Sequence, residues 1–476
     1  MRRTWIARPG AAISPRNLWP VRSLVAGVAM CTGCLPPLDV MEQPVASVDV
    51  VPQATAIHVG DTTHLAATLW NASGRPVSGV AVAWSSADPA IAKVKEDGTV
   101  VGVAEGSTAI TATSEGRNGV GGVSVRPLAP VASVEISSVV TSIPVGDELR
   151  MVATLQDSDG VVVQGRELIW RSSDSAIASV TQAGLVRGVG RGSAEISATT
   201  EGKTATLSMS VTSPVLVGAG DIADCYSTPS VTAARATASL LDNIRGTVFT
   251  VGDNAYWSGT STEYANCYGP TWGRHKLRTR PAPGNHEYLT PGGAGYFGYF
   301  GIRAGDPAKG YYSYDLADWH IIVINSEADH SIGSPQEKWM RADLGAHPAQ
   351  CTLAYWHRPR FSSGSDGSQP DMQPIWQAAL DSAVDVVVSG HDHMYERFAP
   401  VDGSGVPDSV RGVREFVVGT GGKTLHAVNP PLRASEVLNN ATFGVLKLIL
   451  HPGRYEWAFV PIAGQTFQDS GNGFCH

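Results

Sequence analysis

Side chains able to bind a cation recur in this sequence directly after glycine: Gly220-Asp221, Gly252-Asp253, Gly284-Asn285-His286 and Gly390-His391-Asp392-His393. A glycine lets the backbone turn sharply, so the polar residue behind it projects from the end of the preceding element. The second stretch continues as Gly252-Asp253-Asn254-Ala255-Tyr256 and follows Val248, Phe249 and Val251, read as a buried strand. One Gly-Asp turn alone is an ordinary turn. Repetition of the device, with His357 closing a further apolar run, makes it a pattern. Asp221, Asp253, Tyr256, Asn285, His286, His357, His391 and His393 offer carboxylate, phenolate, amide and imidazole donors without thiolate, a set suited to Fe(III), Zn(II) or Mn(II). A carboxylate such as Asp253 can bridge two ions through its two oxygens. His391 and His393, two apart on an extended strand end, can face one side and reach neighbouring ions. Two cations about 3.5–4 Å apart can clamp a phosphoryl group and lower the pKa of a bound water to supply hydroxide.

Those donors need elements that end on one edge. Pro214 opens a region in which strands and helices alternate. Val215–Val217 and Val248–Val251 read as strands running into Asp221 and Asp253, with a helix between them over 230–244. A loop rich in Gly, Thr, Tyr and Trp follows to Pro281. Residues 312–315 and 321–325 read as paired strands, 336–344 and 375–383 as helices. Residues 353–356 form a strand ending at His357, and 384–388 one ending at Gly390. Residues 415–418, 445–450 and 455–460 close the chain as antiparallel strands. Every candidate ligand falls at a strand end, which predicts a layered α/β sandwich with its site along one sheet edge.

The chain has 476 residues, enough for about three domains. Its net charge of −8 leaves no basic footprint, so nucleic acid is set aside as a partner. Residues 41–213 repeat themselves at a constant offset. Val45-Ala46-Ser47-Val48 recurs as Val131-Ala132-Ser133-Val134, Val59-Gly60-Asp61 as Val145-Gly146-Asp147, and Trp84 as Trp170, each 86 positions on. The short alternating segments between Gly, Asp and Ser clusters predict two β-sandwiches, 41–127 and 128–213. Their tryptophans are expected to fill cores.

The first 34 residues read as an export signal, with Arg2, Arg3, Arg8, Arg16 and Arg22 ahead of a short apolar stretch, 24–30. Thr32-Gly33-Cys34 resembles the end of a bacterial lipoprotein signal, although Cys31 stands where that pattern has an aliphatic residue; the expectation is a possible lipid anchor at Cys34. In an exported chain Cys225, Cys267, Cys351 and Cys475 suggest two disulfides. Three connectivities are open. The favoured one pairs Cys225 with Cys267, each shortly after a metal-bearing strand end, and Cys351 with Cys475.

The series Gly-Asp-x-Ala, Gly-Asp-x-x-Tyr, Gly-Asn-His-Glu, His357 and Gly-His-x-His resembles the calcineurin-like metallophosphoesterases. Tyr256, three residues after Asp253, together with Trp356-His357-Arg358-Pro359 and Gly419-Thr420-Gly421-Gly422, resembles the purple acid phosphatase branch. The repeated units resemble bacterial Ig-like domains of group 2. The resemblance implies two all-β Ig-like sandwiches followed by a four-layer α/β metallophosphoesterase sandwich, 214–476. It implies that Asp221, Asp253, Tyr256 and His393 hold Fe(III), and that Asp253, Asn285, His357 and His391 hold Zn(II), Mn(II) or Fe(II). Asp253 bridges the two ions, and His286 sits beside the leaving group as acid or phosphate clamp. Two positions depart from the pattern: Ala223, where the branch has Gly and crowding of the first metal is a concern, and Ala354, expected to be harmless. His275, His320, His330, His347 and His476 are left as surface or satisfied core histidines.

The expected function is an exported phosphatase hydrolysing phosphate monoesters of small molecules by attack of a metal-bound hydroxide. The Ig-like modules are expected to act as a spacer or to contact a cell surface. A phosphodiesterase on the same site is the alternative, with the loop between Tyr256 and Pro283 and the segment from Phe361 to Gln373 deciding between them. A surface adhesion protein with an inactive hydrolase domain is a reading from another class.

Overall fold

The computed structural model describes residues 44–127 and 129–476 and divides after Pro127 into two compact units. The export and lipid-anchor readings, 1–34 and Cys34, lie outside the described residues.

The first unit is a β-sandwich. The hairpin Gly106–Ser114 and Arg117–Arg126 carries its main sheet, flanked by Ala54–His58 and Ala83–Ser86. Alternate residues face inward, so Ile110, Ala112, Val123 and Val125 meet Val48, Val50, Leu65 and Leu69 from the opposite face. The second unit begins with the same pattern 86 residues later, the hairpin Gly192–Thr200 and Lys203–Thr212 replacing the first. The duplication extends to single bonds. Glu115 and Glu201, both at φ 46°, turn the two hairpins, and their carboxylates accept from Val45 N–H and Val131 N–H at 2.8 Å each.

Two further sheets follow in the second unit. One runs in the order Thr279–Ala282, Thr247–Val251, Val215–Ala219, Gly444–His451, Arg454–Pro461, Ser470–Phe474, its first three strands parallel. The other contains Trp319–Val323, Cys351–Tyr355, Val386–Ser389 and Arg414–Val418 in parallel, with antiparallel strands outside them. Both faces of this second sheet are covered, so its strands are continuous apolar runs whose alternate residues enter different cores. Ile321, Val323, Leu353, Tyr355, Val386 and Val388 join the core shared with the first sheet and the helix Thr228–Asn243. Ile322, Ile324, Ala354, Trp356 and Val387 pack on the helices Pro335–Ala346 and Gln373–Asp381. Helix, sheet, sheet and helix make the four layers.

The region expected to be one loop after Tyr256 is more ordered than its composition implied. It holds the helical turns Tyr264–Tyr268 and Trp272–Arg278, the strand Thr279–Ala282 and, further on, the helix Ala294–Phe300. These turns are too short to show a helical period. What holds them is an aromatic cluster in which Tyr264 stacks on Tyr299 at 4.9 Å and meets Phe300 edge-on at 5.7 Å. Both favoured disulfides are present, with Cα separations of 5.2 Å for Cys225–Cys267 and 5.4 Å for Cys351–Cys475.

Candidate metal centre

Five of the parallel strands of the two sheets end on the same edge and lead into a donor. Val215–Ala219 leads to Asp221, Thr247–Val251 to Asp253 and Thr279–Ala282 to Asn285. Cys351–Tyr355 leads to His357, and Val386–Ser389 to His391 and His393. Asp221, Asp253 and His391 have φ of 59°, 48° and 69°, the left-handed region that side chains seldom occupy. Strain of that kind is kept where the surroundings over-determine it, as at binding sites. The glycines ahead of these residues are required by crowding as well. A Cβ on Gly252 would lie 2.6 Å from His357 Nδ1, and one on Gly284 2.3 Å from Asp253 Oδ1.

The eight sequence-predicted residues meet in one place, and seven of them form two groups. In the first, Tyr256 Oη lies 2.8 Å from Asp221 Oδ1, 3.1 Å from Asp253 Oδ2 and 3.1 Å from His393 Nε2. In the second, His357 Nε2 lies 3.4 Å from Asp253 Oδ2, 3.0 Å from Asn285 Oδ1 and 3.2 Å from His391 Nδ1. Asp253 Oδ1 is taken by the His286 backbone N–H at 3.0 Å, so Oδ2 alone faces both groups.

The tautomers make each group a demand for positive charge. His357 Nδ1 donates to the Val251 carbonyl at 2.8 Å and His393 Nδ1 to the Thr424 carbonyl at 2.7 Å, which leaves Nε2 of each facing the centre, an acceptor whenever the imidazole is neutral. Each Nε2 then faces carboxylate oxygen, His393 Nε2 being 3.3 Å from Asp221 Oδ1. Acceptor against acceptor is repulsive unless a proton or a cation lies between. The donor set, all oxygen and nitrogen, fits borderline and hard cations.

Two stretches of the chain match known families. Residues 44–124 and 130–211 each match the bacterial Ig-like domain (group 2), and residues 217–395 match the calcineurin-like phosphoesterases. The second match spans all eight donor residues. The C-terminal region carries a calcineurin-like phosphoesterase domain. The chain is 31% identical over 160 residues to purple acid phosphatase 22 of Arabidopsis thaliana, covering 31% of this chain and 36% of that protein. It therefore spans about a third of the length of that relative. It is 25% identical over 246 residues to a nucleotide pyrophosphatase/phosphodiesterase of Hordeum vulgare, covering 42% of this chain and 64% of that one. Among solved structures, purple acid phosphatase PPD1 of yellow lupin covers 90% of this chain and 95% of its own, at 15% identity and a TM-score of 0.44.

Burial alone would raise the Asp253 and Asp221 carboxyls, but His357 beside the first and His393 beside the second hold both below the usual carboxylate range. Burial would lower the His357 imidazole, and Asp253 instead brings it up to about 10. His391, buried next to His357 and Arg358, falls to about 4. Burial followed by the two aspartates pushes the Tyr256 phenol well above its ordinary value.

His286 sits at the rim. Its Nδ1 donates to the Trp257 carbonyl at 2.5 Å, and its Nε2 stands 3.7 Å from Asp253 Oδ2, outside both groups. Three neighbours had no role in the sequence reading. Glu287 is fully buried and accepts from the N–H groups of Asp253, Asn254, Ala255 and Gly284 and from Tyr264 Oη. Trp257 is half exposed beside His286, with Lys423 Nζ 3.7 Å over its ring. His426 stacks on His393 at 3.7 Å. Only Glu287 carried a signal, as the last residue of Gly-Asn-His-Glu. Trp257 and His426 are single residues whose neighbours come from elsewhere in the chain. Ala223 packs in the apolar core beneath the site. His320, left aside in the sequence reading, is buried away from the centre between Asp315 at 2.7 Å and Asp343 at 2.8 Å.

Proposed function

We propose that the chain is an exported phosphatase with two metal ions, hydrolysing phosphate monoesters of small molecules. In this reading Ig-like modules at 41–127 and 128–213 carry a catalytic domain at 214–476. The observation that carries it is the pair of donor groups sharing Asp253 Oδ2, each with an imidazole Nε2 facing carboxylate oxygen. Asp221, Asp253, Tyr256 and His393 would hold one cation, and Asp253, Asn285, His357 and His391 the other. Two cations bound there supply charge to neutralise a phosphoryl group and to acidify a water. Tyr256 supports Fe(III) in the first position. Its phenol resists ionisation next to two carboxylates, and a trivalent ion is the partner best able to overcome that.

The protein's own residues do the rest. Asp253 fixes the distance between the two groups. The carbonyls of Val251 and Thr424 keep His357 and His393 in the tautomer that presents Nε2. His286, oriented by its bond to the Trp257 carbonyl, holds its Nε2 toward the rim, where it can give a proton to a departing alkoxide.

Cleavage of diesters is a second reading, supported by the similarity to a protein named a nucleotide pyrophosphatase/phosphodiesterase. Two disulfides support export to the periplasm, the cell surface or the medium, with Cys34 as a possible lipid anchor. The test is metal analysis of the purified full chain with hydrolysis of an aryl phosphate monoester and of a bis-aryl diester. We expect about two metal equivalents, faster monoester cleavage, and loss of both metal and activity in Asp253→Asn. Full activity in Asp253→Asn would overturn the proposal.

A further inference from the structure

A charged cleft in the second unit lies apart from the candidate metal centre. It has a volume of about 590 Å³ and lies between the second sandwich and the phosphoesterase domain, and none of the eight donor residues lines it. Its size is that of a site for a small molecule or a short stretch of polymer. The walls are joined by Arg245 to Asp147 at 3.1 Å and by Arg191 to Asp318 at 2.9 Å.

Five arginines line this cleft, and their charges are unevenly matched. Arg187 faces Glu148 at 3.5 Å, and Arg274 grips Asp242 through two bonds of 2.6 Å. The other acids on the walls are already engaged, Asp147 by Arg245 and Asp315 by His320. Arg278, Arg280 and Arg303 have no carboxylate partner among the described residues. Arg278 gives its hydrogens to the carbonyls of Leu241, Ile244 and Gly246 at the end of the helix Thr228–Asn243, which orders it without cancelling its charge. Arg280 lies over the Tyr314 ring at 5.3 Å, and its guanidinium makes no hydrogen bond among the described residues. A planar guanidinium held on an aromatic face keeps its in-plane donors for a bidentate acceptor. Arg303, on the adjoining turn Gly301–Ala304, is half-buried with no hydrogen-bond partner for its side chain among the described residues.

We propose that this cleft binds a polyanion, a molecule bearing two or more phosphate, sulfate or carboxylate groups, through Arg280 and Arg303 with the charge of Arg278 behind them. This site does not depend on the hydrolase reading.

Calorimetric titration of the full chain with inorganic tripolyphosphate, dextran sulfate and polygalacturonate tests the proposal and distinguishes the three anionic groups. We expect at least one probe to bind with a Kd of about 100 μM or tighter at low salt. Loss of two charge-assisted contacts in Arg280→Ala/Arg303→Ala should weaken binding about tenfold or more, with hydrolysis of a small aryl phosphate unchanged. Because Arg280 also packs on Tyr314, Arg303→Glu serves as the second variant. It should weaken the same probe at least about threefold without moving the unfolding transition. No binding of any probe at about 1 mM, or wild-type affinity in both folded variants, would overturn the proposal. Binding abolished by Asp253→Asn but untouched by the arginine changes would assign the anion to the metal centre and overturn it equally.

Discussion

Glu287→Gln isolates the device that sets the turns of the centre. Oε1 of Glu287 accepts from Asn254 N–H at 2.9 Å, Ala255 N–H at 3.3 Å and Tyr264 Oη at 3.0 Å. Oε2 accepts from Asp253 N–H at 2.9 Å and Gly284 N–H at 2.8 Å. Burial and the nearby Asp253 carboxylate push the Glu287 pKa up, and the Gly284 and Ala255 N–H groups oppose the rise. Glutamine keeps the shape but has one acceptor oxygen. In its better orientation the carbonyl replaces Oε1, and the amide then meets the N–H groups of Asp253 and Gly284 head-on. Two buried donors lose their acceptor, at about 1–3 kcal/mol each, so about 2–6 kcal/mol in all. At roughly 2–4 °C per kcal/mol for a domain of this size, the unfolding temperature of the second unit should fall by roughly 5–20 °C. Any relief comes from movement of the Asp253 turn, which displaces the carboxylate shared by both donor groups. Metal content after gel filtration should fall with it. Calorimetry and metal analysis on the same preparation read both effects. A variant that melts within about 2 °C of wild type and keeps its full metal complement would refute the reasoning.

Further expectations follow from other residues. His286→Asn should retain metal and lose about 10²–10⁴ in kcat, because a proton donor at the rim is removed and no donor group is touched; loss of metal would instead make His286 a ligand. Trp257→Ala should raise KM for an aryl phosphate about 2- to 10-fold and leave that for glycerol phosphate alone, the size of one aromatic contact. Asp469 has its carboxyl held low by Arg397 at 2.7 Å and Tyr395 at 2.6 Å against the upward push of burial. A depressed folded pKa stabilises above the unfolded value near 4 and loses that contribution as pH falls through the folded one. Asp469→Asn should therefore flatten the acid limb of a plot of melting temperature against pH, and an unchanged limb would count against the ion pair. The Cys351–Cys475 bond spans 124 positions. Its removal by paired serine substitution should cost about 2–5 kcal/mol in denaturant titration, and an unmoved midpoint would show that it does not constrain the unfolded chain.

Much of the architecture was legible because it rests on local rules. The 86-residue repeat predicted two like sandwiches, and both form with the same hairpin and the same Glu-to-backbone bond. The apolar runs ending at Asp221, Asp253, His357 and His391 read correctly as strands, since two-sided burial writes a continuous apolar segment. The helical turns from Tyr264 to Arg278 did not read, because their order comes from aromatic partners such as Tyr299 and Phe300 further along the chain. The roles of Trp257 and His426 were hidden because their neighbours likewise come from elsewhere in the chain.

The sequence by itself determined which donors exist and that each follows a turn at a strand end, because residue type and local backbone freedom are properties of a few neighbouring positions. Tertiary structure decided that eight of them meet on one edge, that a single oxygen of Asp253 faces both groups, and which nitrogen each histidine presents. It also decided that three arginines with no carboxylate partner among the described residues share a cleft between two domains. Those outcomes depend on distances between residues tens to hundreds of positions apart, set by how two sheets and a sandwich pack. No short stretch of sequence encodes such a distance.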